Sequence, residues 1–240
     1  MARALARGWG EPVLCSDSGS GRAAALVAEL GGRAASNVEV AKEAELVVLC
    51  HKPYQLAEVA AEIGDHVRAV ASVLGATSTQ ALQDAYPSAQ VFRLVPNTPV
   101  EVRQGVTCYT PAERVDAELE RSVLELFERV GTVVTLEERL MGIANSVTGV
   151  GPAYQALLAE AQVDAAVRHG LKPGLASQLV AQTMSGTAAL LAVRDYDTLA
   201  VRREVTSPGG STARGLDALE RAGIRGAFQA AMDRVAGMNN

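Results

Sequence analysis

The 240-residue chain is poor in aromatic residues, at 4%, and contains only three cysteines. Cys15, Cys50 and Cys108 are too widely separated to show a zinc-ligand spacing or a disulfide framework, so we expect free thiols in a reducing compartment. No apolar run approaches the roughly 20 residues of a membrane-spanning helix. Because the N-terminus also lacks the basic-then-apolar layout of a secretory signal, we expect a cytoplasmic protein.

Clustered positive charge is a second feature that the sequence lacks. The chain has 22 Lys and Arg residues against 27 Asp and Glu residues, a formal net charge of −5. Nucleic acids and membrane surfaces are therefore not expected as partners, since both require clustered basic side chains. Hydrophobic residues make up 48% of the chain and charged residues 20%. This composition is typical of a globular protein and, with few aromatics, indicates many helices around an Ala, Val and Leu core.

The first half of the sequence alternates between short apolar runs and helical segments. We predict strands at residues 12–15, 33–35, 46–50, 68–73 and 90–95, and helices at residues 22–30, 38–44, 55–64 and 79–85. Such alternation predicts a parallel sheet covered by helices on both faces, which is a doubly wound α/β fold.

The second half shows helical spacing throughout. We predict helices at residues 140–147, 153–169, 175–192, 211–221 and 228–235. Small residues are dense in the third of these, which favours close helix packing in a bundle or in a helix-mediated dimer. We therefore predict two domains, at residues 1–136 and 137–240.

The segment 207–212 combines a helix breaker with a helix start. Gly209 and Gly210 would let backbone N–H groups converge without a Cβ in the way, and Ser211 or Thr212 would cap the helix that follows. Such a loop can bind an anion with its N–H groups and the positive end of the helix dipole, and Ser207 adds a hydroxyl donor. The alternative is an ordinary capped turn.

Three other segments carry candidate functional residues. Residues 148–154 place alternating glycines before a helix, although a close helix crossing would explain them equally well. Residues 95–99 follow an apolar strand, where ligands bind in open α/β sheets, and the alternative is a rigid turn fixed by two prolines. Lys52 and Pro53 also follow a strand, and the alternative there is a strand end with a solvated lysine.

Taken together and in this order, four segments resemble the pyrroline-5-carboxylate reductase family. They are "VVLCHKP" at 47–53, "RLVPNTP" at 93–99, "TGVGPAY" at 148–154 and "VTSPGGST" at 205–212. The resemblance implies a Rossmann-type domain that binds NADPH or NADH, followed by an all-helical dimerisation domain. It also implies a homodimer, which can assemble into a larger ring, and reduction of 1-pyrroline-5-carboxylate to L-proline, the last step of proline biosynthesis.

The resemblance also assigns the substrate residues. The backbone of Gly210, Ser211 and Thr212 and the hydroxyl of Ser207 would hold the substrate carboxylate, with Thr212 facing the ring nitrogen as the catalytic residue. The implied substrate-binding set is Ser207, Gly209, Gly210, Ser211, Thr212 and Thr148. A protonated cyclic imine is already electrophilic, so we expect no metal site. The histidines share no spacing, and we interpret them as surface or packing residues: His51, His66 and His169.

The cofactor residues follow from the same resemblance. Lys52 and Pro53 would lie beside the ribose and the nicotinamide end, and residues 72–75 would border the nicotinamide. Asn37 would lie near the adenosine ribose, and it could equally be the N-cap of the helix 38–44. The implied cofactor-binding set is Asp17, Ser18, Asn37, Cys50, Lys52, Pro53 and Gly75.

The sequence departs from the family pattern at its start. The first strand and the GxGxxG loop are absent, and residues 1–9 resemble the helix that follows that loop. The absent strand is the central one of the sheet, so its two neighbours would lose their pairing. We therefore expect the native protein to start upstream. A noncatalytic dimeric paralogue with an incomplete cofactor site is the alternative to an enzyme.

Two further departures concern specificity. Asp17 stands where many family members have an Asn-Arg or Ser-Arg pair for the 2′-phosphate, and an acidic side chain there favours NADH, although Arg22 lies close by. Thr148 and Val150 stand where the family usually has serines. A related cyclic imino acid is therefore an alternative substrate.

Overall fold

A computed structural model describes residues 1–112 and 115–237 of the chain. These residues divide into two compact units, of which the first ends at Pro152 and the second begins at Ala153. The domain boundary placed after residue 136 from the sequence alone stays a prediction.

Seven strands lie among the described residues of the first unit, in two sheets. They are β1 (Val13–Cys15), β2 (Gly32–Ala34), β3 (Val47–Leu49), β4 (Ala69–Ser72), β5 (Gln90–Pro96), β6 (Gly105–Thr110) and β7 (Gly131–Thr135). The parallel pair β1–β2 forms one sheet. The other five strands form the larger sheet, in the order β3-β4-β5-β6-β7. In the larger sheet only the β5–β6 pair is antiparallel.

Helices cover both faces of the larger sheet. The helices of the first unit are α1 (Ala2–Trp9), α2 (Arg22–Leu30), α3 (Asn37–Glu43), α4 (Leu56–Ile63), α5 (Thr79–Ala85), α6 (Ala117–Glu128) and α7 (Met141–Thr148). Leu5 of α1 and Phe127 of α6 pack against Phe92 of β5 on one face. Ile63 of α4 and Leu82 of α5 pack in a second cluster on the other face, which contains neighbouring strand residues. This arrangement confirms the doubly wound α/β class, because successive strand residues point to opposite faces.

The predicted strands pair in parallel, and the antiparallel pair β5–β6 adds a strand that the sequence analysis did not predict. Only a short connection separates Pro96 from Gly105, whereas a parallel pair needs a crossover of a dozen residues or more. The chain therefore turns back and β6 runs against β5, with Val95 opposite Cys108. The sequence analysis predicted no elements for β6, α6 and β7. The cap of α6 was nevertheless readable, since Asp116 accepts hydrogen bonds from two backbone N–H groups of the first turn.

The second strand begins and ends one residue earlier than predicted. The strand predicted at residues 33–35 is observed at Gly32–Ala34 and pairs with β1. Gly32 has φ +100°, and a Cβ at this position would collide with the backbone of Val13, so glycine is required where the two strands meet. Within the described residues β1 pairs only with β2, and β3 pairs only with β4.

The second unit is helical. Its helices are α8 (Gly151–Arg168), which starts two residues before the unit does, α9 (Pro173–Val193), α10 (Thr198–Glu204), α11 (Ser211–Arg221) and α12 (Ile224–Ala236). The short α10 was not predicted, although Asp197 caps it by accepting from two backbone N–H groups. Helix α8 contains no buried residue, and α9 buries only Ala176. In the part of the chain that the structure describes, none of the helices has the length and apolarity needed to cross a bilayer.

Candidate active site

The loop at residues 207–212 turns sharply between α10 and α11. Gly209 has φ +69°, in the left-handed region that favours glycine. The N–H of Gly210 donates to the carbonyl oxygen of Ser207 at 3.0 Å. A Cβ on Gly210 would lie 2.5 Å from Oγ of Ser207. The two glycines are therefore needed for different reasons, one for its dihedral angle and the other for its close contact with a hydroxyl.

Helix α11 begins without a side-chain cap. Its N-cap is Gly210, so the prediction that Ser211 or Thr212 caps the helix is wrong. Helical geometry already starts at Ser211, and neither hydroxyl accepts from a backbone N–H of the first turn. In the described structure the hydroxyls of Ser207, Ser211 and Thr212 donate to no other residue. The N–H groups at the start of a helix also lack intrahelical acceptors, so several donors are available at this end of α11.

The electrostatic environment of this loop is positive. Nη1 of Arg214 donates to the carbonyl oxygen of Gly209 at 2.7 Å, which holds a guanidinium beside the loop. The first turn of α11 contains no acidic residue. Unpaired N–H groups, the helix dipole and a neighbouring guanidinium all favour a bound anion, and a carboxylate has the size and charge to accept these hydrogen bonds.

In the first unit, candidate cofactor residues follow the carboxyl ends of two adjacent parallel strands. Lys52 and Pro53 follow β3, where the N–H of Lys52 donates to Oε1 of Gln55 at 3.1 Å. The ammonium group of Lys52 forms no hydrogen bond to any described residue and is free for a phosphate or a hydroxyl. Gly75 follows β4, and a Cβ on it would meet nothing within 4 Å. This edge therefore offers open backbone and a cation, which suits a dinucleotide.

Cys50 lies in the same region and is not a nucleophile. It is half-buried, and burial raises the pKa of its thiol to about 11. The neutral thiol is therefore the form present at neutral pH, and it acts as a small apolar contact.

Asp17 and Asn37 lie at the carboxyl end of β1. Oδ1 of Asp17 accepts from the N–H of Ser20 at 2.8 Å, and its Oδ2 accepts from the N–H of Ala23 at 2.6 Å. These backbone hydrogen bonds, that from Ala23 foremost, hold the pKa of Asp17 below its ordinary value. Ser18 is exposed beside it. The carboxylate is therefore ionised and fixed in position.

Asn37 is not the N-cap of α3, so that alternative is wrong. Ser36 is the N-cap and forms a capping box with Glu39. Oδ1 of Asn37 instead accepts from the hydroxyl of Ser16 at 2.6 Å, and its Nδ2 donates to Oε2 of Glu62 at 2.7 Å. Asn37 thus links the end of β1 to α4.

Thr148 is the last residue of α7. Its hydroxyl donates to the carbonyl oxygen of Ala144 at 3.0 Å, so this donor is engaged within its own helix. Thr148 and the cofactor residues belong to the first unit, whereas the 207–212 loop belongs to the second.

Comparisons with known proteins assign the chain to a family. The family model described as "Pyrroline-5-carboxylate reductase dimerisation" matches residues 138–239, and that described as "NADP oxidoreductase coenzyme F420-dependent" matches residues 1–77. The pyrroline-5-carboxylate reductase of Synechocystis sp. is 36% identical over 80% of this chain and 73% of its own length. The Corynebacterium melassecola enzyme of that name is 34% identical over 82% of this chain and 77% of its own length. The chain belongs to the pyrroline-5-carboxylate reductase family.

Solved structures of this family match the fold along almost the whole chain. The Plasmodium falciparum pyrroline carboxylate reductase with NADP bound has a TM-score of 0.86 and 26% identity, and the match covers 98% of this chain and 91% of that one. The Coxiella burnetii pyrroline-5-carboxylate reductase has a TM-score of 0.87 and 26% identity, covering 99% and 93%. The resemblance inferred from four segments is confirmed, as are the Rossmann-type first part and the helical dimerisation part.

Two buried polar residues of this family member were not identified from the sequence as site residues. Oδ1 of Asn97 accepts from the N–H of Val106 at 2.8 Å, and its Nδ2 donates to the carbonyl oxygen of Thr148 at 3.1 Å. Arg93 donates to Oε1 of Glu138 at 2.6 Å and to the carbonyl oxygen of Gly75 at 3.5 Å. The polar character of Asn97 and Arg93 inside an apolar strand segment was the available signal.

Proposed function

We propose that this protein reduces 1-pyrroline-5-carboxylate to L-proline with NADPH or NADH. Membership of the pyrroline-5-carboxylate reductase family supports the activity. The observation that carries the proposal is the electropositive 207–212 loop, whose hydroxyls and first-turn N–H groups are unpaired among the described residues. A small anionic substrate matches these donors in charge and number.

Binding of the substrate carboxylate falls to the 207–212 loop. The N–H groups of Ser211 and Thr212 are the available backbone donors, since the N–H of Gly210 is engaged with Ser207 in the turn itself. The hydroxyl of Ser207 adds a third donor. Because the loop fixes the carboxylate at the end of a rigid helix, the ring is held in one orientation, which lowers the entropic part of the barrier.

The cofactor would be held at the carboxyl ends of the strands in the first unit. When bound, NADPH or NADH supplies the hydride that reduces the imine carbon. Lys52, Pro53 and Gly75 would hold its nicotinamide half, and Asp17, Ser18 and Asn37 its adenosine half. Cys50 would contribute an uncharged contact.

Thr212 is the residue proposed to contact the reacting part of the substrate. Its hydroxyl would form a hydrogen bond with the ring nitrogen and so orient the imine carbon. A protonated imine accepts hydride without a stronger acid, which agrees with a neutral hydroxyl at this position.

A second candidate is reduction of a related cyclic imino acid. Val150 favours it, because the family usually has a serine there and the loss of a hydroxyl changes the polarity beside α8. Turnover measured with five-membered and six-membered cyclic imino acids distinguishes the two candidates. A larger kcat/KM for the six-membered ring would overturn the first.

The direct test follows the loss of reduced-cofactor absorbance with 1-pyrroline-5-carboxylate. We expect turnover by the wild-type protein, and Gly210→Ala should raise the KM for the imino acid about tenfold or more, because the new Cβ displaces Ser207. Gly215→Ala is the matched control, since its Cβ meets nothing within 4 Å. Wild-type protein that neither binds cofactor nor turns over would instead identify a noncatalytic paralogue.

The proposal extends to assembly and location. The dimerisation match at residues 138–239 supports a homodimer, and we propose that dimers associate into a larger ring as the family resemblance implies. The three cysteines are all free thiols, which supports a cytoplasmic location. The boundary between cofactor and dimerisation domains is proposed near residue 136, two residues before the dimerisation match begins.

A further inference from the structure

The connection between β1 and α2 contains a carboxylate that the backbone itself holds in place. Two N–H groups, those of Ser20 and Ala23, donate to separate oxygens of Asp17 at 2.8 and 2.6 Å. Hydrogen bonds from backbone N–H groups are what lower the pKa of this carboxyl, and no basic side chain contributes to the shift. The negative charge of Asp17 is therefore not neutralised by an ion pair.

Asp17 uses only part of its hydrogen-bonding capacity. A carboxylate has about four lone-pair sites, and the two N–H groups occupy two of them. One further site on either oxygen can accept from a hydroxyl of a ligand. These two N–H groups could otherwise donate to a bound phosphate. In this connection the Asp17 carboxylate accepts their hydrogen bonds instead.

A second carboxylate is brought to the same strand end. Ser16, the neighbour of Asp17, donates to Asn37 at 2.6 Å, and Asn37 donates to Oε2 of Glu62 at 2.7 Å. Both acidic side chains thus lie close to the carboxyl end of β1. Because like charges in proximity oppose each other, this corner of the sheet disfavours an additional anion.

Resting on the cofactor use proposed above, we propose that Asp17 makes this protein select NADH over NADPH. The Asp17 carboxylate accepts a hydrogen bond from the 2′-hydroxyl of the adenosine ribose, and Asp17 with Glu62 repels the 2′-phosphate that NADPH carries in its place. In dinucleotide-binding folds an acidic residue beyond the carboxyl end of a strand serves the ribose hydroxyls, whereas an arginine serves the 2′-phosphate.

Calorimetric titration of the full chain with NADH, NADPH, 5′-AMP and 2′,5′-ADP tests the proposal without catalysis. We expect the wild-type protein to bind NADH more tightly than NADPH, and 5′-AMP more tightly than 2′,5′-ADP, by about tenfold or more. Asp17→Asn keeps a side-chain oxygen for a backbone N–H and removes the charge. It should lower the Kd for NADPH and 2′,5′-ADP, the two ligands with a 2′-phosphate, about tenfold while changing the Kd for NADH much less.

Matched variants separate the effect of the charge at Asp17 from the effect of the net charge of the protein. Asp65→Asn makes the same change in net charge at an exposed position after α4, and it should leave the ratio of the two cofactor Kd values unchanged. Asp17→Glu retains the charge and should retain the preference for NADH. Should Asp17→Asn fail to fold, the wild-type preference is tested by raising the salt concentration, which should narrow the difference between 5′-AMP and 2′,5′-ADP.

The outcomes distinguish this proposal from the proposed function. If an active wild-type protein binds NADPH as tightly as NADH or more tightly, the selection by Asp17 is overturned. If Arg22→Ala then weakens the binding of NADPH, the 2′-phosphate is assigned to Arg22. A preference for NADH that Asp17→Asn leaves unchanged would overturn it as well. Absence of binding to all four ligands together with absence of turnover would overturn the proposed function itself.

Discussion

At the scale of single residues, the candidate site depends on polar groups that the fold leaves unpaired. The hydroxyl of Thr212 is such a group, because the N-cap of α11 is Gly210 and not a serine or threonine. A capping role would have occupied the oxygen with a backbone N–H. The correction of the predicted cap therefore agrees with a ligand-binding role for Thr212.

Thr212→Val tests that role with an isosteric side chain. We expect kcat to fall roughly 100-fold, since a hydrogen bond that orients the reacting group is lost, while the KM for the substrate changes much less. Thr132→Val on the edge strand β7 is the control and should leave both constants unchanged. Unchanged kcat in Thr212→Val would remove this residue from the mechanism.

The ion pair of Arg93 and Glu138 also belongs to the residue scale. The Arg93 side chain is 8% exposed and that of Glu138 is 41% exposed, with 2.6 Å between Nη1 and Oε1. Burial alone would raise the pKa of Glu138, but hydrogen bonds from Thr79 and Arg93 outweigh burial and hold this pKa below its ordinary value. The ionised Glu138 carboxylate therefore stabilises the folded state at pH values above the pKa that this group has in the unfolded chain.

Glu138→Gln should lower the free energy of unfolding by about 1 kcal/mol at neutral pH, because Arg93 loses its charged partner and solvent screens the partly exposed carboxylate. The difference from wild type should shrink as the pH falls below the ordinary carboxyl pKa of 4.5 and through the lower folded value, where the wild-type carboxylate protonates. Urea denaturation at a series of pH values measures this difference. A gap that is independent of pH would contradict the assignment to the Glu138 charge.

At the scale of elements, Asn97 joins three segments of the first unit. It follows β5, accepts from Val106 at the start of β6, and donates to the carbonyl oxygen that ends α7 at Thr148. These contacts satisfy backbone groups that neither the sheet nor the helix pairs. The "PNTP" segment was located from the sequence as a candidate, but its partners are distant in the chain and could not be read from it.

Asn97→Ala should destabilise the protein by about 2–4 kcal/mol, because two buried backbone groups lose their partner. We also expect the KM for the imino acid to rise, since the end of α7 carries Thr148. Asn145→Ala in α7 is the matched control, because its side chain forms no hydrogen bond with the described residues. Thermal unfolding and steady-state kinetics measure the two effects, and equal behaviour of both variants would refute the bridging role.

At the scale of the whole molecule, the long helices of the second unit leave large apolar side chains exposed. Leu157 of α8 is 63% exposed and Leu179 of α9 is 49% exposed in the single chain. The dimerisation match covers both helices, so a second copy of the chain is the expected cover for these apolar side chains.

Leu179→Arg should therefore shift the protein from dimer to monomer and lower its thermal stability. Analytical ultracentrifugation across a concentration series measures the association. Val102→Arg provides the control, because Val102 is 69% exposed in the first unit and outside the dimerisation match. A dimer of unchanged affinity in Leu179→Arg would place the interface elsewhere.

The sequence by itself determined the order and kind of most elements. The strand β5 and the helices α2, α5 and α11 begin where the pattern placed them, because hydrophobic periodicity is a local property. Local glycine chemistry also identified the 207–212 loop. The four family segments then indicated the activity, since their order carries more information than any one motif.

Tertiary structure alone decided which strands pair, which partners each polar group bonds to and how deeply each group is buried. The reversal of β6 against β5 follows from a short connection and from pairing between residues distant in sequence. The same holds for the carboxylate of Asp17, whose partners and freedom to bind a ribose hydroxyl depend on how the following turn folds. Residue types and their order are local information, whereas hydrogen-bond partners and burial arise only when distant segments meet.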